Sequence, residues 1–592
     1  MKRRSFIILL LLMFGLGAVA QQPDRIQQHV RYLASDALEG RLTGTKGATE
    51  AARYIAEQFS RLGLKPLISK AKGTDNRYLQ RFPYVAGVGL GKSNSFVISH
   101  NTAERKLVVG TDWLPLGFSS SAKVEAGVVF VGYGISASEL NHNDYAGVNA
   151  SGKIAIVLQG TPDGDNPHGQ FGRFEGVRWK AVAARNAGAK ALVVIAREPT
   201  FKEDRLTRLV YDNSAGDAGL PVIVISRQAA DRIFALSKLS LQEAERLATA
   251  SGQLLNGTIN LSTDVIRSAV PAYNVIGVLE GSDPILKNET IVIGAHYDHL
   301  GRGGEGSGSL SPSSGDIHHG ADDNASGTAG VLELARVLSV QKPRLKRTIV
   351  FMAFGGEEEG LLGSNYYVNH PLLPLGNTVA MINMDMIGRM KDSRLLVGGV
   401  GTAKEWRDIM TADAEKTFQL TLNEDGYGPS DHSSFYAKQI PVLFFWTGTH
   451  NDYHKPSDTF DKLNYEDEAR VLSMVARIVN HLDAADKRLT YTTAKSDATP
   501  RTSGFRVYLG TIPNYADMND GLLLDGVRDD SPAAKAGLKA GDRIVKISDR
   551  EIKNVYDYTY ALGEMKAGQE YVIEVLRGTD RLTLKIKPEA RK

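Results

Sequence analysis

The chain has 592 residues, no cysteine and a formal net charge of +3, with 70 basic side chains against 67 acidic ones. That length allows three or four domains of ordinary size. The missing cysteines exclude a disulfide framework and a cysteine-borne lipid anchor, and the charge balance excludes a strongly basic nucleic-acid surface.

Lys2, Arg3 and Arg4 precede an apolar run from Phe6 to Leu16, and Ala18-Val19-Ala20 is a small-residue cleavage pattern. Residues 1–20 read as a secretory signal peptide, because the apolar core is too short for a membrane span. A retained amino-terminal anchor is the alternative. Cleavage removes three basic residues and no acidic one, so the mature chain is near neutral. Export without cysteine fits a bacterial periplasm or exterior, with stability supplied by large apolar cores.

Residues 21–118 read as the first part of the main domain. Ile26, Val30, Leu33 and Leu38 recur at helical intervals. From Ala48 to Leu62, the residues Ala51, Ala52, Tyr54, Ile55, Phe59 and Leu62 mark one helix face, with Gly63 as C-cap. The glycine-punctuated loop between them, Leu38 to Thr45, reads either as a simple helix connection or as a loop near the substrate cleft. Residues 80–118 read as β structure with polar turns.

Residues 119–262 form a separate block. Strands are expected at 128–131, 153–158, 191–195 and 221–225, with a helix from Val177 to Ala187. Gly132-Tyr133-Gly134-Ile135 lacks the third glycine of a dinucleotide fingerprint. The Gly132-Tyr133-Gly134 turn, Asn143-Asp144-Tyr145, Gly152-Lys153-Ile154 and Ala187-Gly188-Ala189-Lys190-Ala191 resemble the protease-associated (PA) domain inserted into secreted peptidases. The resemblance implies a domain that borders a cleft and performs no chemistry.

Residues 263–488 carry the chemistry. The run Thr290 to Ala295 ends in His296-Tyr297-Asp298-His299, and Gly320-Ala321-Asp322-Asp323-Asn324-Ala325-Ser326-Gly327 follows. A helix is expected from Gly327 to Ser339, with Ser326 as N-cap. The run Thr348 to Phe354 ends in Gly355-Gly356-Glu357-Glu358-Glu359-Gly360, and Val379 to Met384 delivers Asp385. Asp452-Tyr453-His454-Lys455-Pro456-Ser457-Asp458 comes last. Short buried-type strands thus end, one after another, in His, Asp or Glu. In an open α/β sheet, ligands gather at the carboxyl ends of strands. Imidazole with carboxylate and no thiolate suits a divalent ion such as zinc. Two such ions about 3.5–4 Å apart clamp an attacked carbonyl and activate water. The pattern points to a two-metal hydrolase. It finds no G-x-S-x-G elbow for a serine hydrolase.

Together, Gly294 to Asp298, Gly320 to Gly327, Gly356 to Ser364, Asn383-Met384-Asp385-Met386 and His454 to Thr459 resemble metallopeptidase family 28, the di-zinc exopeptidases. The resemblance spans about residues 270–485. It implies an α/β fold with a mixed, largely parallel central sheet flanked by helices. It also implies two zinc ions: His296 and Asp385 on one, Glu358 and His454 on the other, and Asp323 bridging. Glu357 would be the general base for the bridging water. Asp298 would orient His296 as an outer carboxylate. Tyr427 would stabilise the oxyanion. The implied activity is secreted aminopeptidase action on peptides. Glutaminyl cyclase, carboxypeptidase and non-catalytic peptide-binding members of the family are the alternatives, and metal stoichiometry separates peptidase from cyclase. One departure is a Gly/Ser-rich insert, Gly301 to Gly315, expected as a mobile loop at the cleft mouth, with His318 and His319 as loop residues.

Residues 489–504, rich in Thr, Ser, Ala and Asp, read as a linker. In the final block, 505–592, the series Ser531-Pro532-Ala533-Ala534, Ala536-Gly537-Leu538 and Gly541-Asp542-Arg543-Ile544-Val545 resembles a PDZ domain of the bacterial protease type. It implies a β domain that takes an extended peptide on a sheet edge and its terminal carboxylate in the Leu509-Gly510-Thr511 loop. A structural or dimer-forming role is the alternative.

Overall fold

The structure, a computed structural model, describes residues 21–590 apart from 69–74, 138–139, 165–169, 198–217, 249–251, 305–306, 312–314, 414–417, 493, 495–506, 514–520, 528–530, 540, 549, 553–557, 559–560 and 563–564. The expected signal peptide and most of the expected linker lie outside the described residues. No helix among the described residues is long and apolar enough to cross a membrane.

The main domain is built on an eight-stranded mixed sheet. Its spatial order is Leu79–Leu90, Val265–Leu279, Thr348–Phe354, Thr290–His296, Thr378–Met384, Val442–Trp446, Arg394–Gly398 and Gln419–Leu422. The four strands from Thr348–Phe354 to Val442–Trp446 run parallel to one another. Every residue of Thr290–His296 and Thr348–Phe354 is buried. That explains their continuous β-branched and aromatic character: strands covered on both faces need no polar alternation.

Helices cover the faces. Pro23–Leu33 buries Ile26, Val30 and Leu33 on one stripe, and Lys46–Arg61 buries Ala51, Ala52, Ile55, Ala56 and Phe59. Gly277 permits the close approach of the second helix, since a Cβ there would lie 2.8 Å from both Phe59 and Leu64. Gly327–Val340 and Tyr465–Ala484 complete the same core. Ser326 stands at the expected N-cap position, but its side chain makes no capping hydrogen bond. The chain enters this helix through a wide turn at Ala321–Ser326, and the Ser326 hydroxyl donates to the Asp322 carbonyl at 2.8 Å instead.

Leu79–Leu90 and Val265–Leu279 form a long antiparallel stem that leads into the inserted block. That block has its own eight-stranded sheet and its own apolar cores. Strands Ser95–His100, Ala103–Leu107 and Trp113–Pro115 belong to this sheet, paired to Gln253–Ser262 and Val222–Ile225. The sheet of this block therefore also takes strands from residues 95–115, ahead of 119. That stretch reads as generic β structure in sequence, and only its antiparallel pairing shows which sheet it joins.

The C-terminal block is a β domain with its own core. Leu509 is part of that core, and its carbonyl accepts from the Ala533 amide at 2.8 Å. Gly510 takes φ +78°, and a Cβ there would sit 2.2 Å from the Ser531 Cβ. Thr511 opens the edge strand Thr511–Pro513, and its hydroxyl meets that of Tyr558.

Candidate metal centre

The parallel strands bring their carboxyl ends to one place. His296 ends its strand, Asp385 follows Met384 directly, and Glu357 and Glu358 follow the turn after Phe354. His454 arrives from the 450–458 turn, where it adopts φ +54°. For a side-chain-bearing residue this is a sparsely populated conformation, of the kind that gathers at ligand clamps.

Asp323 stands between two clusters. Its Oδ1 lies 3.4 Å from His296 Nε2, which is 3.3 Å from Asp385 Oδ1 and 3.8 Å from Glu357 Oε2. Its Oδ2 lies 3.1 Å from His454 Nε2, which is 3.4 Å from Glu358 Oε2. The five side chains expected as ligands are therefore together, arranged around one central carboxylate.

Each is held from outside. His296 Nδ1 donates to the Asp298 main-chain carbonyl at 3.2 Å, while the Asp298 carboxylate stands 3.8 Å away. Asp298 thus orients the ring through its backbone. Its carboxylate serves other groups: Thr43 Oγ1 donates to Oδ2 at 2.8 Å and the Glu357 amide to Oδ1 at 3.1 Å. His454 Nδ1 donates to the Gly308 carbonyl at 3.0 Å. In both imidazoles the Nδ1 proton leaves Nε2 as the free lone pair. The Asp323 turn is tied at both ends. Asp458 Oδ2 accepts the Asp322 and Asp323 amides at 2.9 and 3.1 Å, and Asn324 donates to Met384 O at 3.0 Å.

The Leu38–Thr45 loop lies against the inner side of this centre. Arg41 is fully buried, and its guanidinium donates to the carbonyls of Leu33, Tyr297, His319 and Gly320. It fastens the first helix to the strand end of His296 and to the turn of Asp323. The Gly301–Gly315 insert, where described, packs on His454: besides the Gly308 bond, the Leu310 amide donates to the His454 carbonyl at 3.0 Å. His318 is buried, with Nε2 2.7 Å from Ser309 Oγ, and His319 is tied to Asp36 at 2.8 Å.

Tyr427 is not brought to the cluster: it is 57% exposed, with its ring edge-on to Tyr436. Tyr453 is brought there instead. Its ring stacks on His454 at 3.8 Å, and burial, aided by Asp323, Glu358, Glu357 and Asp385, holds its phenol well above the usual range. Sequence reading missed Tyr453, Arg41, Thr43, Asp458 and His299. The available signal was adjacency: Tyr453 precedes His454, and His299 follows Asp298.

The electrostatics are those of a centre short of positive charge. Burial pushes Glu357 well above the ordinary carboxylate range, and Glu358, Asp385 and Asp431 add to this against His296. Burial works against charge on His454, but Glu358 and Asp323 outweigh it and raise its pKa to about 9. The same competition, with Glu357 and Asp385 as the carboxylates, raises His296 well above its usual value. Burial also opposes charge on Asp323, yet the bonds to His296 and His454 hold it well below the usual range.

The donor set fits divalent zinc. Bonds of about 2.0–2.2 Å to nitrogen and oxygen give a tetrahedron edges of about 3.3–3.6 Å. The separations of 3.3 and 3.4 Å around His296 and of 3.4 Å between His454 and Glu358 match such edges, and the 3.1 Å between His454 and Asp323 is slightly shorter.

Comparison with known proteins agrees. Residues 274–479 match peptidase family M28, residues 122–233 the PA domain and residues 509–587 the PDZ domain. The chain is 26% identical over 418 residues to aminopeptidase YwaD of Bacillus subtilis (strain 168), covering 65% of this chain and 78% of that protein. It is 32% identical over 204 residues to a probable leucine aminopeptidase of Arthroderma otae, covering 33% of this chain and 54% of that protein. Among solved structures, a zinc aminopeptidase from Bacillus subtilis aligns over 79% of this chain and 98% of its own, at 22% identity and a TM-score of 0.41. The chain thus carries a segment that matches peptidase family M28, together with segments that match the PA domain and the PDZ domain.

Proposed function

We propose that the chain is an exported zinc aminopeptidase that removes N-terminal residues from peptides. The observation that carries this reading is Asp323, whose two oxygens face separate His–carboxylate clusters. His296 and Asp385 would hold one zinc ion, Glu358 and His454 the other, and Asp323 both. Zinc at these positions supplies Lewis acidity toward the scissile carbonyl and lowers the pKa of the attacking water.

Glu357 takes the proton of that water and returns it to the leaving amine. Its amide is anchored on Asp298, and its raised pKa brings the carboxyl nearer the pH at which it must accept and then release a proton. Tyr453, kept protonated by its surroundings, donates its O–H to the oxyanion that develops on the substrate. The PDZ domain, in which Thr511–Pro513 is an edge strand among the described residues, takes the C-terminus of a peptide or protein substrate. The basic, apolar and small-residue succession of residues 1–20 supports export to the periplasm or exterior.

Counting zinc tests the metal reading. The purified chain should bind two ions, and Asp323→Ala should lose one or both. A wild-type chain that saturates at one ion would favour the cyclase reading, and retention of two ions by Asp323→Ala would place the bridge elsewhere.

A further inference from the structure

The two oxygens of Glu358 have different neighbours. Oε2 lies 3.4 Å from His454 Nε2, and Oε1 lies 2.7 Å from His299 Nδ1. His299 is buried to 0% exposure, and among the described residues its Nε2 has no hydrogen-bond partner. Its Nδ1 is 3.9 Å from Asp323 Oδ2, too far for a hydrogen bond, so the imidazole serves Glu358 alone.

The short distance decides what kind of contact this is. Two atoms sharing one tetrahedral zinc ion with bonds of about 2.0–2.2 Å stand about 3.3–3.6 Å apart. The His454–Glu358 and His296–Asp385 pairs meet that separation, at 3.4 and 3.3 Å. The His299–Glu358 pair, at 2.7 Å, is too close for it and has the length of a charge-assisted hydrogen bond.

The ring is fixed in place. Gly320 has φ +55°, and a Cβ there would lie 2.5 Å from His299 Cγ and Cδ2. Only glycine permits the imidazole to lie against this turn. The His299 amide also donates to the Arg41 carbonyl at 3.3 Å.

We propose that His299 is a positioning residue for Glu358. Its Nδ1–H occupies Oε1, so that Glu358 offers the metal a single oxygen, Oε2, beside His454. This rests on the reading of Glu358 as a metal ligand. Without the donor, Glu358 is free to rotate or to engage both oxygens, and the ion it shares with His454 is loosened. The ion of His296 and Asp385 keeps its own supports.

The test uses the full chain with His299→Leu and His299→Asn. The Asn amide nitrogen lies near the position of Nδ1 and restores a donor. Zinc affinity is measured by competition with a chromophoric chelator, and thermal melting monitors the fold. In His299→Leu, the affinity of one ion should fall about 10–100-fold while the second ion holds, and His299→Asn should recover most of the loss. Wild-type affinity for both ions in His299→Leu overturns the proposal, as does an equal loss in Leu and Asn. If the Leu variant fails to fold, His299→Gln takes its place, because its amide reaches the Nε2 position. Gln should then show the same selective loss, and wild-type binding by Gln overturns the proposal. A wild-type chain that binds fewer than two ions removes the metal-centre reading itself, a result distinct from any of these.

Discussion

The Glu357 amide donates to Asp298 Oδ1 at 3.1 Å, while Thr43 fills Oδ2 at 2.8 Å. Asp298 also holds His296 through its carbonyl. One buried residue therefore sets the position of both a candidate ligand and the candidate base.

Glu357→Gln keeps the size of the side chain and the hydrogen bond from the main-chain amide to Asp298, and removes only the proton acceptor. Zinc content and melting temperature should stay at wild-type levels, and kcat should fall by about 10²–10⁴. Turnover within tenfold of wild type, measured at equal zinc content, would take the base role from Glu357.

Tyr453 and Tyr427 compete for the oxyanion. Tyr453→Phe should lower kcat by about 10²–10³ with little change in KM, as expected for a donor aimed at charge that develops only in the transition state. Tyr427→Phe should stay within about twofold. The opposite ranking would return the role to Tyr427.

Lys180 gives the inserted domain a pH dependence. Its ammonium is 1% exposed and donates to the carbonyls of Tyr133 and Gly160 at 2.5 and 2.8 Å. Burial pushes its pKa down to about 7. The unfolded chain holds the same proton up to about 10.4. Between these values the unfolded state binds more protons, so stability rises with pH. A neutral amine still has two N–H donors for the two carbonyls. Melting curves from pH 7 to 9.5 should therefore show a gap between wild type and Lys180→Met that moves in favour of wild type as pH rises. A gap that is constant, or moves the other way, would contradict this.

The gathering of the five expected ligand side chains is legible in part: His296, Glu358 and Asp385 come at or just after the ends of buried apolar runs, whereas Asp323 and His454 sit in turns marked only by their neighbouring residues. Groups that act through hydrogen bonds across long sequence separations were not legible. Thr43 reaches Asp298 across 255 positions and Arg41 reaches Tyr297 across 256, and nothing local to either residue announces the partner. The Gly/Ser-rich insert was read from composition as a loop at the cleft mouth, whereas its described part contributes a carbonyl to His454. The reach of the block's sheet back to residue 95 is illegible in sequence for a related reason. Strand pairing of Ser95–His100 with Gln253–Ser262 is a long-range fact that alternation alone does not carry.

The central claim is that this centre cleaves peptide bonds next to a free N-terminal amine. The most direct measurement is hydrolysis of aminoacyl anilides by the zinc-loaded chain, with each substrate offered both as the free amine and as its acetylated form. Cleavage of the free-amine members alone is the predicted result. Equal cleavage of the acetylated members, or no cleavage of any member by a chain that holds two zinc ions, would contradict it.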